Sequence, residues 1–182
     1  MKNKLLVVVD MQNDFIDGAL GTKEAVEIVP RVVEKINEYK SSGDYVVYTM
    51  DTHNADYLNT QEGLKLPVEH CIVGSLGWKL DDKVQEALLD VQTLYGEMIE
   101  YKKPSFGSEK LAKMIKVHEE EIGSVELIGL CTGICVISNA VLIKAATPEL
   151  PITVNQNCCA CVTPQSHETA INAMKLLQIS IA

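Results

Sequence analysis

The chain has 182 residues, 47% of them hydrophobic and 23% charged, which is enough apolar material for one well-filled core and argues against disorder. Its formal net charge of −9 argues against a nucleic-acid surface, which needs clustered Lys and Arg. No segment approaches the roughly 20 apolar residues of a membrane helix. The first apolar run is too short for a secretory core and no small-residue cleavage site follows it, so a cytoplasmic location is expected.

Six cysteines, Cys71, Cys131, Cys135, Cys158, Cys159 and Cys161, are expected to be mostly free thiols in such a compartment. A chain this long and apolar does not need a disulfide framework. Their spacing fits no regular zinc finger.

Residues 4–10 read as a continuous apolar strand, of the kind buried on both faces of a parallel sheet. A loop with Gln12, Asn13, Asp14, Gly18 and Gly21 follows. Residues 23–40 carry Val26, Val29, Val33 and Ile36 at helical spacing, with Thr22 as N-cap and Gly43 beyond the end; Pro30 marks a kink or break inside the pattern. Residues 45–50 form the second strand. The stretch 52–78, with Gly63, Pro67, Gly74 and Gly77, is long for a loop in a compact domain, and such loops usually carry function.

A helix is expected over 79–91, a third strand over 97–101 and a helix over 108–120 capped by Ser108. Residues 125–129 give a fourth strand, followed by a helix from about Thr132 to Lys144. A fifth strand covers 151–155. Thr163 then Pro164 is a cap followed by proline at the first helical position, opening a helix to about 177. A short last strand lies at 179–181. Strands alternate with helices throughout, so the expected class is α/β: a three-layer, doubly wound, mostly parallel sheet of about six strands with helices on both faces.

Reactive side chains fall at the ends of the apolar runs. Asp10 ends the first, Asp51 the second with His53 just beyond, Lys102 and Lys103 follow the third, and Cys135 lies shortly after the fourth. In an open parallel sheet the carboxyl ends of the strands share one edge, where ligands bind. Cys135 just inside a helix start has backbone N–H groups and a positive dipole end that favour a thiolate and can hold an oxyanion. A buried cysteine is otherwise most often a small hydrophobe. Asp10 is a candidate base, although an Asp at a strand end is more often a turn residue. Lys103 can hold a thiolate or a carboxylate by charge; in a strand it faces opposite to Lys102. Asp51 and His53, two apart in extended chain, point the same way. With His70 and Glu62 from the long loop they make an O/N ligand set suited to zinc, iron or manganese rather than calcium. Loop hydrogen bonding is the plainer reading of Asp51 and His53 alone. His118 and His167 fall in helical stretches away from the sheet edge.

Together these segments resemble the isochorismatase-like cysteine hydrolases, and within them the nicotinamidases. Leu6 to Phe15 looks like the first strand with its D-x-Q-N-D-F signature. Asp51-Thr52-His53 resembles a D-x-H metal segment, and Leu66 to Cys71 with Gly74 to Gly77 is similar to the loop that brings in the second histidine. Lys103-Pro104-Ser105-Phe106 resembles the lysine motif, and Gly129 to Val136 the nucleophile motif. The resemblance covers nearly the whole chain and implies one isochorismatase-like hydrolase domain over 1–182.

The resemblance further implies a triad of Asp10, Lys103 and Cys135. Asp10 takes the thiol proton, Lys103 stays charged, and the Cys135 thiolate attacks an amide carbonyl. The oxyanion rests on backbone N–H groups of Cys131 and Cys135, with a cis peptide expected at Leu130–Cys131. Ammonia leaves and water cleaves the thioester. Asp51, His53 and His70, with Glu62 as a fourth ligand, hold a divalent metal, zinc foremost, that orients the substrate ring nitrogen in nicotinamidases. Phe15, Leu66 and Phe106 are expected to line the substrate pocket. The chain departs from relatives at Gly133, where many have Asp, at Phe106, where several nicotinamidases have Tyr, and at Leu66 and Pro67, about where nicotinamidases often carry an aromatic that stacks on the pyridine ring. Isochorismatases proper lack the nucleophilic cysteine, so Cys135 argues against vinyl-ether hydrolysis.

The expected reaction is therefore metal-assisted hydrolysis of a small amide, most simply nicotinamide. The alternative is a metal-independent hydrolase of another amide or carbamoyl compound. A phosphoacceptor signalling domain also sets Asp, Thr and Lys at strand ends, but needs an acceptor Asp ending the third strand and a Lys ending the fifth; here the residues are Lys103 and Asn155. A silent binding relative is disfavoured by three intact triad positions. Symmetric homo-oligomers are common among such enzymes, so an oligomer is expected.

Overall fold

The structure is a computed structural model and describes residues 2–182. Six strands form one all-parallel sheet in the order β3-β2-β1-β4-β5-β6: β1 (Asn3–Val9), β2 (Tyr45–Asp51), β3 (Glu100–Lys103), β4 (Ile122–Leu130), β5 (Ile152–Ala160) and β6 (Ser180–Ile181). The order reverses between β1 and β4, so a crevice opens at their carboxyl ends. β1 is central and wholly apolar from Leu5 to Val9 because both its faces are covered. Leu5, Val7 and Val9 pack with α5 (Glu109–Val117), α6 (Ile137–Ala146) and α7 (Pro164–Leu176). Leu6 and Val8 face the other way, toward α1 (Asn13–Ile16), α2 (Lys23–Ser42) and α4 (Asp82–Ala87). A short α3 (Gln61–Lys65) lies in the loop after β2.

Local signals account for most boundaries. Thr22 Oγ1 accepts from Ala25 N–H at the start of α2, and Gly43, at φ +72°, ends it in the left-handed conformation that glycine takes without strain. The helix continues through Pro30 without a break. Its buried face is Ala25, Ile28, Val29, Val32, Ile36 and Tyr39, whereas Val26 is exposed. Ser108 and Thr163 cap α5 and α7 through their hydroxyls, and Thr163 and Ser166 form a reciprocal capping box.

Four boundaries differ from expectation. The helix expected over 79–91 is only α4, since Asp81 caps its start at Lys83 and Val84 N–H and Asp90, at φ +58°, turns the chain after it. The third strand begins at Glu100 rather than at 97, because the continuous ladder with β2 runs only from Glu100 to Lys103. The fifth strand does not stop at Asn155: after a register shift Cys159 and Ala160 pair with Gly129 and Leu130, while Gln156 and Asn157 stay exposed. The helix expected from Thr132 opens instead as a π-helical turn, Thr132–Val136, before α6. All six cysteines are free thiols.

Candidate active site and metal cluster

The carboxyl ends of β1, β2, β3 and β4 bring Asp10, Asp51, Lys103 and the π turn bearing Cys135 together. Asp10 follows β1 directly, at φ +48°. This is a region that Asp and Asn enter more readily than other non-glycine residues. Its carboxylate accepts a 2.7 Å hydrogen bond from Thr49 Oγ1 and lies 2.7 Å from Lys103 Nζ. The same ammonium is 3.4 Å from Cys135 Sγ and 3.4 Å from Asp51 Oδ1. Lys103 is buried and its neighbour Lys102 exposed, as strand alternation requires.

Three charges so deeply buried set one another's protonation. Burial disfavours the ammonium of Lys103, but Asp10, Cys135 and Asp51 outweigh it and hold its proton above the usual lysine range. Burial lifts the Cys135 thiol well above its ordinary value, and the Asp10 charge adds to this against the pull of Lys103. Burial also lifts the Asp10 carboxyl, with Lys103 opposing and Asp51 reinforcing. Lys103 thus holds a positive charge between two acids whose burial favours their protonated forms. Moving the thiol proton to Asp10 shifts one negative charge around a fixed ammonium, which can compensate it in either place.

Beside this group Asp51, His53, Glu62 and His70 offer one ligand atom each, all within 4.8 Å of one another. Asp51 Oδ2 is 3.0 Å from His53 Nε2 and 3.6 Å from His70 Nε2. Glu62 Oε1 lies 3.8 Å and 3.9 Å from the same two nitrogens. Val68 carbonyl sits 2.8 Å from His70 Nδ1, so a hydrogen bond there turns the Nε2 lone pair toward the cluster. Burial, then the Asp51 charge, raises the Glu62 carboxyl, as two acids aimed at one point should do. Burial works to raise Asp51 too, but the imidazoles of His53 and His70 beside it and the charge of Lys103 hold it well below the usual range. Two imidazoles and two carboxylates facing one centre fit a borderline divalent cation such as zinc.

Several positioning groups were not assigned from sequence. Gln12, wholly buried, accepts from Asp51 N–H through Oε1 (2.7 Å) and donates through Nε2 to the carbonyls of Asp51 (2.9 Å) and Trp78 (2.8 Å). Asp14 accepts from Cys71 N–H at 2.8 Å and so fixes the loop carrying His70. A Cβ on Gly77 would fall 2.1 Å from that carboxylate, which explains glycine there. Tyr57 packs its ring against both histidines, centroids 4.6 and 4.9 Å away, and donates to Leu66 carbonyl. Gln12 and Asp14 lie inside the D-x-Q-N-D-F segment, the one sequence signal that could have flagged them.

A cavity of 260 Å³ joins both groups. Phe15, Leu20, Leu66, Phe106, Ile134 and Val162 form its apolar wall, with Asp51, Glu62, His70, Cys131 and Cys135 at its polar side. The three pocket residues expected from sequence are therefore all in place. The peptide Leu130–Cys131 is cis. His167 departs from expectation: it reaches the turn bearing Cys135, with Nδ1 2.8 Å from Thr132 Oγ1.

Comparison with known proteins identifies the family of this fold. The Isochorismatase domain model matches residues 4–181. A Bacillus subtilis (strain 168) relative, called uncharacterized isochorismatase family protein PncA, is 30% identical over 177 residues, covering 93% of this chain and 92% of its own. The crystal structure of nicotinamidase/pyrazinamidase PncA from Bacillus subtilis superposes with a TM-score of 0.80 at 27% identity, covering 99% of both chains. Pyrococcus horikoshii pyrazinamidase, crystallised in complex with zinc, gives 0.78 at 25% identity over 99% of this chain and 98% of its own. Thermoplasma acidophilum N-carbamoylsarcosine amidase, at 24% identity and a TM-score of 0.73 over 98% and 95% of the two chains, shares the fold. The chain belongs to the isochorismatase family of hydrolases.

Proposed function

We propose that the protein hydrolyses the carboxamide of a small ring compound, nicotinamide foremost, to the acid and ammonia through a thioester on Cys135. One observation carries this reading: a single buried ammonium touches both Asp10 and Cys135 at the wall of a cavity whose other side presents a two-His, two-carboxylate cluster. Asp10 takes the Cys135 proton, and the thiolate forms a C–S bond to the amide carbon. The oxyanion rests on the backbone N–H groups of Cys131 and Cys135. Asp10 returns its proton to nitrogen as the C–N bond breaks and ammonia leaves. It then deprotonates the water that cleaves the thioester. Throughout, Lys103 stays charged and Thr49 keeps Asp10 oriented.

Asp51, His53, His70 and Glu62 would hold a divalent metal, which when bound supplies Lewis-acid affinity for a ring nitrogen or for water. Phe15, Leu66 and Phe106 exclude bulk water and grip the ring's faces. The likeness to nicotinamidase and pyrazinamidase structures supports the substrate class, and the zinc in one of them supports the metal.

Ammonia release is to be measured over nicotinamide, pyrazinamide and simple carbamoyl compounds, with and without chelator. Nicotinamide turnover that vanishes in Cys135→Ala and falls on chelation is expected. Full activity in Cys135→Ala ends the proposal. Turnover of a carbamoyl compound alone, unchanged by chelator, selects the metal-independent alternative.

A further inference from the structure

Thr132 opens the π turn that carries Cys135, and it is wholly buried. Among the described residues, its hydroxyl makes one side-chain hydrogen bond, at 2.8 Å to His167 Nδ1, and that bond is also the only one the imidazole makes. We propose that His167, projecting from α7, is a positioning residue for catalysis: acting through Thr132, it fixes the backbone of the nucleophile turn that must meet the oxyanion. The inference rests on the reading of Cys135 as nucleophile.

Three observations support it. First, the turn is held at both ends and packed between them. Its far end is fixed by Asn139 Nδ2, which donates to Cys135 carbonyl at 2.8 Å, and by Ser138 Oγ, which donates to Ile134 carbonyl at 2.6 Å. Cys131 carbonyl accepts from both Ile134 and Val136 N–H. At the near end, among the described residues, His167 makes the only hydrogen bond to the Thr132 side chain.

Second, α7 abuts the turn at the next residue. A Cβ built on Gly133 would lie 3.3 Å from Ala170 Cβ and 3.4 Å from Cys161 Sγ. The turn thus lies close against α7 at Gly133, and the Thr132–His167 bond ties the two together at the neighbouring residue.

Third, His167 stands outside the substrate cavity. It lines a separate 160 Å³ cavity with Glu24, Glu27 and Arg31 of α2 and Cys161 just beyond β5. It touches no reacting atom, so its influence passes through Thr132. Burial lowers its pKa, and a neutral imidazole keeps both a donor and an acceptor nitrogen, able to pair with a hydroxyl in either sense. Oxyanion donors act only within a few tenths of an ångström of the right place, and a 1 Å error costs about 100-fold in rate.

The test uses the full-length protein with its metal and nicotinamide as substrate. His167→Ala and Thr132→Val are each expected to lower kcat about 30-fold with KM changed less than about twofold, consistent with that positional sensitivity. The double variant should be no slower than the slower single one, because both remove the same bond. His167→Asn, which keeps a polar atom near the Nδ1 position, should recover most of kcat. Retention of kcat within threefold by a folded His167→Ala, or full additivity of the pair, overturns the proposal. Should His167→Ala fail to give a cooperative thermal melt, His167→Asn and Thr132→Val decide, and a wild-type kcat in Thr132→Val overturns it. Loss of activity in Cys135→Ala with none in the His167 variants refutes this inference alone; activity that survives Cys135→Ala refutes the parent reading and this one together.

Discussion

Replacing Lys103 by Met keeps most of the length of the side chain and removes the one ammonium that touches both Asp10 and Cys135. At contacts of 2.7 and 3.4 Å, and an effective dielectric near 20, its attraction is about 6 kcal/mol for the Asp10 carboxylate and about 5 kcal/mol for a Cys135 thiolate. The two are nearly equal, so the lysine biases the proton transfer by only about 1 kcal/mol while keeping either anion tolerable. Without it, Asp10 and Asp51 face each other buried and uncompensated, and breaking such a pair costs about 3–5 kcal/mol of stability. Protonation of Asp10 then relieves the strain but removes the base. If half of the lost thiolate stabilisation is recovered that way, the reactivity of Cys135 falls on the order of 100-fold. Iodoacetamide alkylation of Cys135 in chelator at pH 7.5, followed by mass spectrometry, reads the reactivity, and urea unfolding reads the stability. The double variant Asp10→Asn with Lys103→Met should regain much of the stability and none of the reactivity. A Lys103→Met protein with wild-type urea midpoint and wild-type alkylation rate would refute the electrostatic account.

Gly129 lies at φ +113°, where a Cβ would sit 2.1 Å from the Val9 carbonyl oxygen. Gly129→Ala should therefore lose more than about 3 kcal/mol in urea unfolding, and a loss under about 1 kcal/mol contradicts this packing. Alkaline pH should also weaken the fold. Burial pushes the Cys131 thiol up to about 12 and the Tyr101 phenol to about 12, above unfolded values of about 8.5 and about 10. A raised folded pKa gives stability present below the unfolded value and lost as pH rises. The urea midpoint should thus decline from about pH 8.5 toward 12, by up to about 1.4 kcal/mol per pH unit for the thiol. Cys131→Ala should lessen the first part of that decline by its own share while Cys135 and the other buried thiols keep theirs, and a flat profile in the parent protein would exclude the effect.

The convergence of Asp10, Asp51, Lys103 and Cys135 was legible because strand ends in a parallel sheet share an edge, and each residue ends or follows an apolar run. The ligand group needed one step more, since His70 and Glu62 arrive on a loop that periodicity does not describe. His167 was misplaced because helical spacing says nothing about which helix covers the nucleophile turn. The positioning work of Gln12 was hidden for a different reason: a buried amide that bonds only backbone leaves no pattern in side-chain spacing. The extent of β5 was obscured by Asn155, Gln156 and Asn157. These polar residues read as a stop, but they bulge outward and let Cys159 and Ala160 rejoin β4.

Asp51 turns one oxygen to the histidines and the other to Lys103. A single carboxylate thus belongs to two neighbourhoods, and its loss disturbs both at once. Variants at His53 or His70 would dissect the contribution of the proposed ion cleanly; variants at Asp51 would confound it with the charge balance around the sulfur. For the same reason a descendant lineage that discarded its histidines would still be under pressure to keep this acid.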